Sequence, residues 1–372
     1  MGVPYLWAYL PAKSVKYLIV GQGLAGTLIG YRLERAGHAV DYHDATHQIS
    51  ASEVAAGIVN PITGRRFVKS WRIDELLPTA RSLYGELEAA LGCRLWYDLP
   101  LVRTLFNRGD ENDWAARALD PAYASYLDSR PDLGRIPRLT HPAYAYAGVR
   151  QSARVDLDAL VGHNRQRLQR AGRFSAGAFA HAELELTADS VRYGDSRYDG
   201  VVFCEGWRVR HNPWFAYLPT GGNKGEVLTV TTPERPLLER MLKHRVFLVP
   251  RADCSYWVGA TSENDWQTEA PSEARKDYLL ARLREVLVEP YTVTDHTAAV
   301  RPTIRDRRPV IGAHPDHPRL FVFNGLGTKG ASLAPLISRW LCDLITEQMP
   351  CPAEVSIDRF TRQDYSPPQS IA

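Results

Sequence analysis

The sequence predicts an α/β fold in which a parallel dinucleotide-binding sheet is joined to a second module built on an antiparallel or mixed sheet. Three observations predict it. A β-branched and aromatic run from Val15 to Val20 breaks into the G-x-G-x-x-G of Gly21, Gly23 and Gly26 and then turns helical. Near the other end, Leu320 to Asn324 reads as a strand that breaks into a second glycine-rich loop before another apolar helix. Between the two, Pro219 to Thr261 changes to short strands of antiparallel type.

Bulk properties narrow the field. At 372 residues the chain is long for a single core, so two domains are expected. A net charge of +3, from 45 basic and 42 acidic side chains, is too balanced for nucleic acid or a membrane as the bulk partner. The five cysteines are odd in number and never form C-x-x-C, which argues against a disulfide framework or zinc and for a reducing cytoplasm. Residues 1–13 lack the basic segment and apolar core of a secretory signal and read, like 361–372, as a terminal extension. No run approaches the eighteen apolar residues of a spanning helix.

Each element follows in order. The glycines permit a tight turn and close approach to a pyrophosphate, while the amides around Gly23, Leu24 and Ala25 face its charge. Leu24, Leu28, Ile29, Leu33 and Ala36 share one helical face before Gly37 stops the helix. The next strand, His38 to His43, ends in Asp44, at the distance where an acid meets the adenosine ribose hydroxyls. An acid there opposes a 2′-phosphate and hence NADP; FAD and NAD both stay open.

Ser50 to Pro61 is a small-residue stretch, with Ala56 and Gly57 able to lie against a ring or phosphate. Gly64 to Arg72 then concentrates Arg65, Arg66, Lys69 and Arg72, either as a solvated turn or as an anion-facing wall. Residues 74–91 read as a helix stopped by Gly92, and 93–149 as an insertion leaving the cofactor module. Asp156 caps a helix that ends at Gly172, and Tyr198 to Gly206 is a buried strand whose tip, Glu205 and Gly206, should meet the cofactor.

The second module carries the strands Gly225–Val230, Arg245–Pro250 and Tyr256–Thr261, with a helix after Ser272. The last hundred residues hold Arg301-Pro302, Pro309 to Gly312 and the loop Gly325-Leu326-Gly327-Thr328-Lys329-Gly330. A long helix is expected after Ser332, with Pro335 in its first turn, where a missing amide costs nothing. Asp41, His43, Asp44 and His47 imitate a metal cluster, but strand alternation and the ribose role of Asp44 argue against it, and no metal is expected. There is no G-x-S-x-G and no nucleophilic triad.

Taken together, the Gly21-x-Gly23-x-x-Gly26 turn with Asp44, Ala55-Ala56-Gly57, Lys224 to Val227, Val249-Pro250, Val258 to Thr261 and the closing block resemble the D-amino-acid-oxidase family almost end to end. Leu326 to Gly330 and Arg305-Asp306 are more similar to its tRNA-modifying oxidase domains than to glycine oxidase. The resemblance implies FAD rather than NAD, in a Rossmann-type domain assembled from 14–60, 150–215 and 296–360. It places a substrate domain in 61–149 and 216–295.

It also implies oxidation of a carbon bonded to amine nitrogen, by hydride transfer to flavin N5 and hydrolysis of the resulting imine. Arg301 would hold a substrate carboxylate and Lys329 would lend charge near the flavin; Arg65, Lys224 and Trp257 are weaker substrate-side candidates. Where sarcosine-oxidase relatives carry the flavin-linking cysteine, this chain has Arg301, so non-covalent FAD is expected. Three functions follow: a flavin oxidase or dehydrogenase for an amino acid or N-substituted glycine, an enzyme acting on a carboxymethylaminomethyl-type tRNA wobble base, and a flavin-binding protein without turnover.

Overall fold

A computed structural model describes residues 15–45, 50–233 and 239–360. The extensions 1–13 and 361–372, and His47, lie outside the described residues.

A six-stranded sheet runs in the order Phe174–Ala176, Ala39–Asp44, Lys16–Val20, Gly200–Phe203, Leu320–Asn324, Val310–Ala313, parallel except at its last pair. Both faces are covered, which is why its central strands are apolar without alternation. On one face Tyr17 and Ile19 pack with the helices Leu24–Arg35, Ile73–Leu91 and Gly330–Glu347. On the other, Leu18 and Val20 pack under a small antiparallel sheet of Leu184–Leu186, Val191–Tyr193 and Ser196–Tyr198. The strand Gly200–Phe203 returns in parallel beside Lys16–Val20, as the sequence predicts.

The second sheet has eight strands: Thr292–Ile304, Thr220–Thr231, Tyr256–Gly259, Phe247–Pro250, Met241–Lys243, Leu101–Leu105, Ala145–Val149 and Leu127–Asp128. Its period-2 alternation splits the side chains by face. Leu228, Val230, Leu248, Tyr256 and Val258 pack against the helix Glu273–Arg284 through Leu279 and Leu283. Val227, Val249 and Trp257 turn the other way, into the core shared with the first sheet.

One expectation fails at the C-terminal helix. It begins at Gly330, so Pro335 lies in its second turn. The carbonyl of Ala331 therefore has no amide four residues on. The buried Tyr84 hydroxyl donates to it instead, at 2.9 Å, from the neighbouring helix.

Candidate active site

A cavity of about 660 Å³ opens where the two sheets meet, within the usual range for a small-molecule site. Gly21, Gly23, Leu24 and Ala25 of the first turn line it, with Asp44, Ala56, Gly57, Glu205 and Gly206. Gly327, Thr328 and Gly330 of the closing loop line it too, as do Arg301 and Trp257. Two glycine loops about three hundred residues apart in sequence thus border one space.

The first turn is built for close approach. A Cβ on Gly26 would stand 1.9 Å from the Gly21 carbonyl, so only glycine lets this helix start so near the strand. Gln22 N donates to Asp44 Oδ2 at 2.6 Å, which locks the turn to the tip of the second strand. The other carboxylate oxygen lies 3.8 Å from Arg165, whose guanidinium also reaches Gln22 Oε1 at 2.9 Å and Glu53 at 3.4 Å. Ser52 Oγ accepts from Leu24 N at 2.9 Å. Sequence reasoning missed Arg165 and Ser52. The Ser50 to Glu53 spacing does fit a capping box, and both of its bonds are present.

The tips of the central strands are tied together. Asn324 Nδ2 donates to Gly206 O at 2.8 Å, and Asn324 Oδ1 accepts from Gly325 N at 2.7 Å. Gly325 is buried behind the loop and, like Gly26, does not line the cavity. Glu205 spends one carboxylate oxygen on His181 at 2.7 Å and the other on Asn212 at 2.8 Å.

On the sheet side, Arg301 lies against Gly225, where a Cβ would come within 2.0 Å of its Nη2. Its guanidinium donates to Asn223 Oδ1 at 2.7 Å and to Thr261 O at 3.2 Å. No carboxylate pairs with it among the described residues, and burial pushes its pKa down. Trp257 is fully packed, its indole N–H donating to Val54 O at 2.8 Å, so it forms wall rather than lid.

Three predicted cations do not line the cavity either. Lys224 projects from the opposite face of its strand, where its ammonium meets Glu226 at 3.1 Å and Ala270 O at 2.5 Å. Lys329 precedes the last helix and donates to Thr63 Oγ1 at 3.2 Å; burial and then Arg308 lower its pKa. Arg65 is exposed in the turn between Ile62–Thr63 and Val68–Lys69. Of its basic neighbours, Lys69 pairs with Asp74 at 2.6 Å, and Arg72 with Glu75 and Glu354 at 2.8 and 2.7 Å. Asp41 pairs with Lys16 at 2.6 Å, and the His43 ring packs edge-on against Phe179 and Tyr193.

A family model described as FAD dependent oxidoreductase, DAO, matches residues 16–344. The chain belongs to the DAO family of FAD-dependent oxidoreductases. FAD is accordingly its cofactor, and the glycine cradle and the cavity between two sheets suit such a group. Cys204 is the lining cysteine among the described residues, and burial raises its thiol pKa well above the ordinary value, which disfavours a thiolate link.

Glycine oxidase of Pseudomonas putida is 27% identical over 359 residues, covering 91% of this chain and 96% of that protein. The bifunctional protein ThiO/ThiG of a Nostoc strain is 26% identical over 356 residues, and there the match covers 89% of this chain but 52% of the relative. The chain thus spans about half the length of that bifunctional relative and nearly all of the stand-alone one. Among solved structures, glycine oxidase from Geobacillus kaustophilus superposes with a TM-score of 0.77 at 22% identity, over 96% of this chain and 100% of that one. This DAO member therefore shares the glycine-oxidase fold. No helix among the described residues is long and apolar enough to cross a membrane.

Proposed function

We propose that the protein oxidises the C–N bond of a small amino acid or N-substituted glycine, with segments 14–60, 150–215 and 296–360 holding the cofactor and 61–149 and 216–295 shaping the substrate side. Arg301 carries the reading: a half-buried guanidinium facing the cavity, with neutral partners only. Leaving such a charge unpaired is costly, so the site favours an anion brought by the substrate. The fork of the guanidinium suits a carboxylate held by two bonds, which also fixes which C–H faces the cofactor. Asn223 and the Thr261 carbonyl hold that fork in place.

FAD, when bound, supplies the hydride acceptor. The chain contributes orientation and dryness, through Val227, Phe247 and Trp257 along the sheet wall. No side-chain nucleophile is required. An amine that reaches the site unprotonated has the lone pair that assists loss of hydride, so turnover is expected to weaken at low pH.

A tRNA substrate would need a free basic face; Lys69 and Arg72 already being paired leaves that reading the weaker one. The deciding experiment is anaerobic bleaching of the yellow protein by glycine, sarcosine, D-amino acids, longer N-substituted glycines and modified tRNA. Reduction by a carboxylated amine supports the proposal. A flavin that none of these bleaches would leave a binding protein without turnover.

A further inference from the structure

Among the described residues, a second cation without a carboxylate partner lines the same cavity, four strands across the eight-stranded sheet from Arg301. Cross-strand pairing places Val227, Gly259, Phe247, Lys243 and Arg103 in one transverse row, so all five side chains or their positions share a face. The first four line the cavity. Lys243 is half-buried, lies over the Phe247 ring with its Nζ 4.5 Å from the centroid, and donates to Arg245 O at 2.9 Å. Among the described residues no carboxylate pairs with it. Its charged neighbour on the row, Arg103, is turned onto the Phe67 ring at 4.6 Å and donates to Gly64 O at 3.0 Å.

We propose that Lys243 forms a second anion subsite, so that the substrate is an amine with carboxylates at both ends, one held by Arg301 and the other by Lys243. This rests on the amine-oxidation reading for the chemistry but on separate residues for the specificity. As at Arg301, a cation partly withdrawn from water, here beside an aromatic ring with one backbone carbonyl for company, is stabilised when a ligand brings the missing charge. A single ammonium matches the single charge of a carboxylate.

Geometry limits the length. Lys243 stands four strands across and four residues along from Arg301, about 19 Å and about 13 Å of backbone, and both long side chains line the cavity. A carboxymethyl tail is too short to bridge them. The optimum falls on an N-substituent of several methylenes ending in a carboxylate.

The test compares two ladders on the FAD-loaded protein. One consists of glycines whose N-alkyl tail ends in carboxylate, with neutral methyl-ended partners of equal length, read by anaerobic flavin reduction. The other consists of diacids with an ether oxygen in place of the amine, read by calorimetry, which needs no oxidation. At the preferred length the charged tail is expected to bind about tenfold or more tighter than its neutral partner. Lys243→Met should collapse that ratio and Lys243→Arg restore it, the neutral-tailed compound being the internal reference in each variant. If the amines bleach the flavin but the ratio is near one, or survives Lys243→Met, the subsite is wrong while the amine reading stands. If no amine bleaches the flavin yet the ether diacids bind through Lys243, the subsite stands and the amine reading falls. Absence of both effects overturns both.

Discussion

Arg301 and Gly225 act as one unit at the residue scale, because the guanidinium occupies the volume a Cβ would take. Arg301→Gln removes the fork while keeping a polar side chain near Asn223 and Thr261. Hydrogen bonds to charged groups contribute about 1.5–3 kcal/mol, so KM for a carboxylated amine should rise roughly ten- to a hundredfold. An amine of similar shape without a carboxylate should not feel the change. Equal loss for both in steady-state assays would make Arg301 a packing residue.

A second carboxylate held by Lys243, as proposed, would bind with a pH dependence of defined sign. Burial, and then Arg103 beside it, push its ammonium down to about 8. Arg103 is in turn faced by Asp110, and Lys243 also borders His244 and Arg245 on its own turn. A lysine with a depressed pKa is protonated below that value and neutral above it. Affinity for a second carboxylate should therefore be high below pH about 8 and fall as pH rises through it, relative to the neutral-tailed partner. Lys243→Arg should flatten the profile, since a guanidinium stays charged. An unchanged profile in that variant would assign the titration to another group.

At the scale of elements, the last helix shows how a proline is accommodated away from a first turn. Pro335 frees the Ala331 carbonyl, and Tyr84 from Ile73–Leu91 satisfies it in a fully buried setting. Arg32, from Leu24–Arg35, clamps the same helix by donating to Pro335 O and Ser338 Oγ, both at 2.9 Å. Tyr84→Phe leaves a buried carbonyl unsatisfied and should cost about 1–3 kcal/mol in a denaturant titration, with the slope unchanged. A midpoint within error of the parent would mean that water replaces the hydroxyl. Gly330 and Ala331 at the start of this helix line the cavity, so the same bond steadies that part of its wall.

On the scale of the whole molecule, the two sheets are coupled through a shared apolar core, to which one indole adds a hydrogen bond. Trp257 on the eight-stranded sheet donates to Val54 in the stretch beside the first glycine turn. Residues from both sheets border the cavity, so FAD binds the assembled form in preference to the unfolded chain. Free FAD at a hundred times its dissociation constant should raise stability by about 2.7 kcal/mol, seen as a melting temperature that climbs with FAD concentration. Trp257→Phe should lower both the melting temperature and FAD affinity. A melting temperature indifferent to FAD would show that the two modules hold together without it.

Much of this was legible locally. The strand, glycine turn and helix from Lys16 to Arg35 depend on nearest-neighbour geometry, and the helix stop at Gly92 on one residue's left-handed backbone. Lys224 was not legible, because a cation on a strand belongs to either face until the core claims one. Arg165 and Lys243 carry no motif; they reach the cavity only because a helix crosses behind Asp44 and because five strands lie side by side.

The amino-acid sequence by itself determined the glycine turns, the alternation of the second sheet and the chemistry of a dinucleotide cradle, since each is written in contiguous residues whose backbone preferences are local. Only the tertiary structure decided which cations share the cavity, which are consumed in ion pairs, and which buried carbonyl a tyrosine must satisfy. Those outcomes depend on strand register and helix packing between segments hundreds of residues apart, where burial makes an unpaired charge or carbonyl costly and pairing sets what remains open to a ligand.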